Sequence, residues 1–176
     1  SFLSELVILY LLSFSLAGRQ EEAEEELKIK SELMDENLRL NNDEVPKAAL
    51  KLAGHDKFYY IARGINFAVA GEASLKLKEI AYVHSEGMSA GELKHGTLAL
   101  VEEGTPVIAI APCDDTHEHI LSNISEVKAR GAYIIGLSDK SDKLFDIHIE
   151  IPRVNEYYYP LSCIVPLQLF AFHSSI

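Results

Sequence analysis

Cysteine is scarce: Cys113 and Cys163 are the only two in 176 residues, and they form no C-x-x-C pair. A disulfide-built scaffold is excluded, and a thiolate metal site has too few ligands to draw on. Positive charge is short as well, with 16 Lys and Arg against 27 Asp and Glu and a formal net charge of −11. Nucleic-acid binding works by releasing counterions from a basic surface, so this balance argues against it. A membrane-spanning run is also missing. The apolar stretch from Phe2 to Ala17 falls short of the ~20 residues a bilayer requires. It is interrupted by Glu5 and by Ser4, Ser13 and Ser15, and no basic segment precedes it as a secretory signal demands. Disorder is excluded in turn, because 48% of the residues are hydrophobic. The composition fits a soluble globular protein of a reducing, cytoplasmic compartment: one domain, or one domain and a piece.

The two ends read as cut. The first segment is expected to be a helix buried in a core, yet it is apolar nearly all round and needs partners on several sides. At the far end, Pro166 to His173 reads as a helix still in progress, with neither glycine nor a polar cap before Ile176. Between residues 18 and 54 the chain turns acidic. Glu21, Glu22 and Glu24 to Glu26 open an amphipathic pattern carried by Ala23, Leu27, Met34 and Leu38. The acidic block suits a helix N-terminus, where the dipole favours negative charge. Pro46 fits the first turn of a further short helix ending at Gly54. Residues 18–54 are therefore expected to be a helical connector.

From Phe58 onward short apolar runs alternate with helical patterns. The runs are Phe58–Ala62, Thr105–Ala111, Ala132–Leu137 and the alternating Asp146–Ile151, the last with the look of an edge strand. Asp115 and Glu118 are spaced to cap a helix bearing Ile120, Ile124 and Val127, and Gly131 is placed to end it. Fully apolar runs of this kind predict an α/β fold with a parallel sheet covered on both faces. Such sheets bind ligands outside the carboxyl ends of their strands, here Arg63-Gly64, Pro112-Cys113-Asp114 and Ser138-Asp139.

One segment breaks the alternation. Residues 71–100 read GEASLKLKEIAYVHSEGMSAGELKHGTLAL: a helix, a small-residue loop from His84 to Gly91, then the polar turn Glu92 to Gly96. Lys76 and Glu79 stand three apart and share a helix face. They are either a surface ion pair or a carboxylate base with a cation beside it. His95 lies in the polar turn, and its titration near neutral pH makes it an acid–base candidate as well as a structural one. Cys113, at a strand end, is either a substrate contact or a half-buried spectator thiol.

These residues carry a resemblance. The K-L-K-E helix of Lys76 to Glu79, the A-G-E-L-K-H-G turn of Ala90 to Gly96, the following L-A-L and P-V-I, the E-V-K-A-R-G helix end and V-P-L-Q-L are similar to one known domain. It is the second SIS (sugar isomerase) domain of the glutamine:fructose-6-phosphate aminotransferase (isomerising) family. The resemblance covers residues 55–176. Residues 1–17 resemble the last helix of that family's first SIS domain, and 18–54 its connector. Thr97 departs from the pattern, which has proline there.

The resemblance implies a three-layer α-β-α SIS fold with a mostly parallel, flavodoxin-like sheet. It implies an isomerase region that accepts ammonia on fructose 6-phosphate and moves a proton from C1 to C2 to give glucosamine 6-phosphate. The family's proton-shuttling glutamate matches Glu79, its substrate-side lysine Lys76, and its ring-opening histidine His95, which in the family reaches the neighbouring subunit's site. A homodimer, a sugar-phosphate ligand and a separate glutaminase half are implied; no cofactor and no metal are. The S-x-S-G-x-T type of phosphate loop, the glutaminase's N-terminal cysteine and the tail carrying a further catalytic lysine are absent from this chain. The chain alone is therefore expected to lack glutamine-dependent synthesis. Two alternatives stand beside this reading: another SIS isomerase or deaminase working without a glutaminase, and a non-catalytic SIS module that senses a phosphosugar.

Overall fold

The computed structural model describes residues 2–175. Ser1 and Ile176, where the two ends read as cut, lie outside the described residues. Three helices come first: α1 (Phe2–Leu16), α2 (Gln20–Asn41) and α3 (Glu44–Lys51). Then follow β1 (Lys57–Ala62), α4 (Asn66–Ala81), β2 (His84–Ser89) and two 3₁₀ segments, Ala90–His95 and Thr97–Leu100. The remainder is β3 (Pro106–Ile110), α5 (His117–Lys128), β4 (Tyr133–Ser138), β5 (Ile147–Glu150), a 3₁₀ turn (Glu156–Tyr158) and α6 (Tyr159–His173).

The five strands are all parallel, in the order β2-β1-β3-β4-β5. This is the flavodoxin-like order, and it turns back on itself between β1 and β3. Period-two alternation divides the strand residues between two cores. Phe58, Tyr60, Ile108, Ile110, Ile135 and Leu137 face α3, α4 and α6. Tyr59, Ile61, Val107, Ala109 and Ile134 face α5 and the Ala90–His95 turn. The expected three-layer α-β-α arrangement is what the chain adopts.

Four local expectations are corrected. The first concerns His84–Gly91, expected as a loop, because His84–Ser89 is strand β2 and pairs with β1 from Lys57–His84 to Ala62–Ser89. The segment lacks an apolar run because it is an edge strand beneath a helix that comes very close. A Cβ on Gly87 would stand 2.3 Å from the Ala70 carbonyl oxygen. Second, α5 is not capped by Asp115 and Glu118. Thr116 is the residue before the first turn and makes no side-chain cap bond; Asp114 orders the approach instead, its Oδ1 accepting from the Thr116 amide at 2.8 Å and hydroxyl at 2.7 Å. Asn66 Nδ2 donates to its other oxygen at 3.1 Å and so fixes the carboxylate in place.

Third, Leu38 of α2 is exposed, whereas Asn37 and Asn41 are buried. Ala23 is buried and Leu27 and Met34 pack on apolar neighbours as expected, but at Asn37 and Asn41 the inward face of α2 meets backbone carbonyls. Asn37 donates to Ser162 O at 2.6 Å and Asn41 to Glu150 O at 2.9 Å. Buried amides with such partners avoid the desolvation penalty that an unpaired polar group incurs. The segment 18–54 is helical, and α3 sinks Val45, Ala48 and Ala49 into the same core as the sheet. Fourth, α1 is a helix but not a buried one. Tyr10 is its single buried residue, packed on Tyr158 and donating to Tyr157 O, while Ile8, Leu9, Leu12 and Leu16 stay exposed. Among the described residues, α1 packs through one side alone. Among the described residues no helix is long and apolar enough to cross a membrane.

Candidate functional site

The carboxyl rim of the sheet holds a cavity of about 220 Å³ where the strand order reverses. Gly64, Ile65, Asp114, Asp115, Thr116, Glu156 and Tyr157 line it. Three carboxylates around so small a space repel a phosphate rather than attract one. Cys113 lies on the same rim. Its amide donates to Asp139 Oδ1 at 2.7 Å, and its sulfur is 3.9 Å from His117 Nε2. His117 Nδ1 faces the carbonyls of Ala111 and Pro112 at 3.2 and 3.0 Å, so that nitrogen carries the proton. Burial, and then the Asp139 charge, push the Cys113 thiol above its ordinary range. A protonated thiol is a poor nucleophile, and Cys113 fits the spectator reading.

The motif residues stand elsewhere. Helix α4 begins after the carboxyl end of β1 and runs back to the amino end of β2, so its last turns lie away from the acidic cavity. Within them Lys76 Nζ donates to Glu79 Oε2 at 2.7 Å. The same ammonium is 3.5 Å from Glu72 Oε1, one turn earlier. The hydrogen bond it donates to Glu79, and then the nearby carboxylate charges, hold the Lys76 ammonium above its ordinary value. Glu79 keeps a side chain 51% exposed, whereas Glu72 is mostly covered. The pair expected from spacing thus forms, and Glu72 completes it as a triad. The i,i+4 spacing to Lys76 was the available signal for that third member.

The inward face of α4 explains how the pair is presented. Val69, Ala70, Ala73 and Leu77 are buried, and Ser74 meets Ser85 of β2 across the close approach that Gly87 permits. Lys76 and Glu79 are consequently turned outward on a helix that cannot roll.

His95 ends the 3₁₀ turn on the opposite face of the sheet. Leu93 anchors that turn in the α5 core, and Lys94 pairs with Glu126 of α5 at 2.9 Å. Gly96, at φ +152°, carries the chain into the next 3₁₀ segment. His95 is exposed, and among the described residues no hydrogen bond or ion pair joins it to Lys76 or Glu79. The structure therefore brings two of the three candidates together and puts the third across the sheet. No group of three or more His, Cys, Asp or Glu is arranged to hold a metal among the described residues.

Comparison with known proteins bears on these same segments. A protein of Pyrococcus horikoshii named glutamine–fructose-6-phosphate aminotransferase [isomerizing] is 52% identical over 147 residues, 82% of this chain and 24% of that protein. One of the same name from Thermococcus kodakarensis is 43% identical over 100% of this chain and 31% of its own length. The chain thus spans about a quarter to a third of these curated relatives. Among solved structures, the C-terminal domain of glucosamine-fructose-6-phosphate aminotransferase from Francisella tularensis superposes with a TM-score of 0.81 at 33% identity, over 89% of this chain and 46% of that one. A family model described as SIS domain matches residues 51–176 and so takes in the sheet, α4 and the His95 turn. The chain belongs to the SIS domain family.

Proposed function

We propose that this chain is part of the isomerase region of an isomerising glutamine:fructose-6-phosphate aminotransferase, and that Glu79 is its proton-transfer base. The observation that carries the reading is the 2.7 Å contact between Lys76 and Glu79 on an immobilised helix face. Ammonia adds at C2 of the open-chain fructose 6-phosphate and water leaves, giving an imine. Glu79 takes a proton from C1 of the protonated imine, which creates the enolamine, and returns it to C2 as the C1 hydroxyl gives up its proton to become the aldehyde of glucosamine 6-phosphate. One carboxylate within reach of both carbons suffices for this exchange. Lys76 keeps Glu79 aimed, and the one ammonium donor not turned to Glu79 or Glu72 is free for a substrate oxygen.

Ring opening precedes that step and needs a group able both to take and to give a proton, the role given to His95. His95 lies on the far face of its own sheet, so it serves the site of a second copy, and the working form is a homodimer. The acidic carboxyl rim supports placing the phosphate against another part of the protein. In this reading residues 1–17 close a preceding SIS domain, residues 18–54 connect the two, and 55–176 form the second SIS domain. A glutaminase half supplies the ammonia, the protein works in the cytoplasm, and no cofactor takes part.

The test is isomerisation by the full-length polypeptide in ²H₂O. Glu79→Gln is expected to abolish exchange of the C1 hydrogen and to lower glucosamine 6-phosphate formation by about 10²–10⁴-fold. Unchanged turnover in that variant would end the assignment.

A further inference from the structure

The turn that carries His95 has little to hold it. Ser89 makes no side-chain cap bond at its start, the helical segment is 3₁₀ with its weak hydrogen bonding, and the lysine of the Lys94–Glu126 pair is largely exposed. Leu93 fixes the middle of the turn in the core. Something else must set its first residues, because a 3₁₀ segment anchored at one point can still pivot about it.

Arg63 is placed to do so. Ala62, the last residue of β1, pairs with Ser89, the last of β2, so the register delivers Arg63 beside Ala90 and Gly91. The half-buried guanidinium reaches across to α5, where Nε donates to Asn123 Oδ1 at 3.0 Å. Asn123 is itself buried. On its other side the guanidinium lies under the turn: a Cβ on Gly91 would stand 3.2 Å from Arg63 Nη2. Gly91 has no positive φ, so its backbone does not call for glycine. The Arg63 guanidinium is the group that a side chain there would crowd most. Arg63 forms no ion pair among the described residues. An apolar side chain would fill this space without the cost of half-burying an unpaired charge. A guanidinium here does what an apolar group cannot: it spans from a fixed amide on α5 to the underside of the turn as a rigid plane.

We infer that Arg63, braced by Asn123 and seated against Gly91, is a positioning residue that sets the orientation of His95 for ring opening. The inference rests on the reading of His95 given above. Arg63 touches no reacting atom in this scheme. Its effect is confined to the step His95 performs, and that restriction separates positioning from general support of the fold.

The experiment compares two substrates in the full-length dimeric protein. Fructose 6-phosphate closes into a ring through its 5-hydroxyl. The 5-deoxy analogue has no such hydroxyl and stays open, so it bypasses ring opening. Arg63→Met keeps the stem and removes the guanidinium; it is expected to lower kcat on fructose 6-phosphate by about 10–100-fold, the usual penalty for a misplaced catalytic group. Activity on the 5-deoxy analogue is expected to stay within about twofold of the parent, since no reacting group has moved at that step. Gly91→Ala, which crowds the guanidinium without altering charge, is expected to show the same pattern more weakly, and it carries the test if Arg63→Met does not fold. Equal losses on both substrates, or no loss on either, overturn the inference. His95→Asn is run alongside: if it keeps full activity on fructose 6-phosphate, the underlying reading of His95 fails, whereas a loss in His95→Asn with none in the Arg63 and Gly91 variants removes the inference alone.

Discussion

The carboxyl rim and the α4 face are opposites. The rim has the enclosure that ligands favour in this class of sheet, with a cavity at the point where strand order reverses, but its lining is acidic and none of the motif residues reaches it. The α4 face has the proposed base, with a lysine clasped between Glu72 and Glu79, but no wall around it. Concavity and the motif residues are separated within one domain. Under the proposed function, that face is one side of a cleft completed by a different surface, and the fold's customary crevice is a poor guide to the site.

The largest effect that would break the contrast is catalytic. Glu79→Gln is expected to cost about 10²–10⁴ in turnover. Asp115→Asn on the rim is expected to leave turnover within about twofold, since an exposed rim carboxylate lies outside the reacting shell. Equal losses in steady-state assays would move the chemistry back to the rim. Next comes Gly87→Ala, which drives a methyl against the Ala70 backbone and forces α4 off β2. It is expected to lower stability in denaturant titration by about 1–3 kcal/mol, and turnover with it, because Lys76 and Glu79 ride on α4.

A smaller effect belongs to the rim alone. Asp114→Ala removes the acceptor for two Thr116 donors and one from Asn66, and is expected to cost about 1 kcal/mol of stability. Turnover per folded molecule should not change. The smallest is a pH effect at Cys113. Its folded thiol holds the proton more tightly than the unfolded one, so this group's stabilising contribution is complete at neutral pH. It declines as pH rises past the usual thiol value of about 8.5. Iodoacetamide labelling should therefore be slow at pH 7 and speed up well into the alkaline range. Asp139→Asn, which removes the second cause of the shift, should bring that rise to lower pH.

Much of this architecture could be read from residue order. The runs at Phe58, Thr105 and Ala132 became β1, β3 and β4 because apolar side chains on both faces leave an unbroken signal, and the alternating run at Asp146 became the edge strand β5. β2 left none: its positions facing α4 had to be small, and Gly87 is a strand residue only because Ala70 presses on it. The Lys76–Glu79 contact was legible because helix geometry fixes it locally. That His95 lies across the sheet from that pair depends on which layer the chain visits after β2, and no local pattern encodes it. Asn37 and Asn41 misled for a related reason. Their partners are carbonyls more than a hundred residues away in sequence, so an apolar-face rule that placed Ala23, Leu27 and Met34 correctly added Leu38 and passed over the two asparagines.

Those two asparagines have a mechanical consequence. An apolar helix face can slide or roll by a fraction of a turn at little cost, but two amides each addressed to one carbonyl admit a single setting. α2 is thereby keyed to α6 and β5 like a peg in a slot. α1 is borne on α2 and pinned by Tyr10, so the direction in which Ile8, Leu12 and Leu16 face is set by the keyed pair far more than by α1 itself. Whatever leans on α1 pushes on a stiff arm, and the load passes straight to the edge of the sheet.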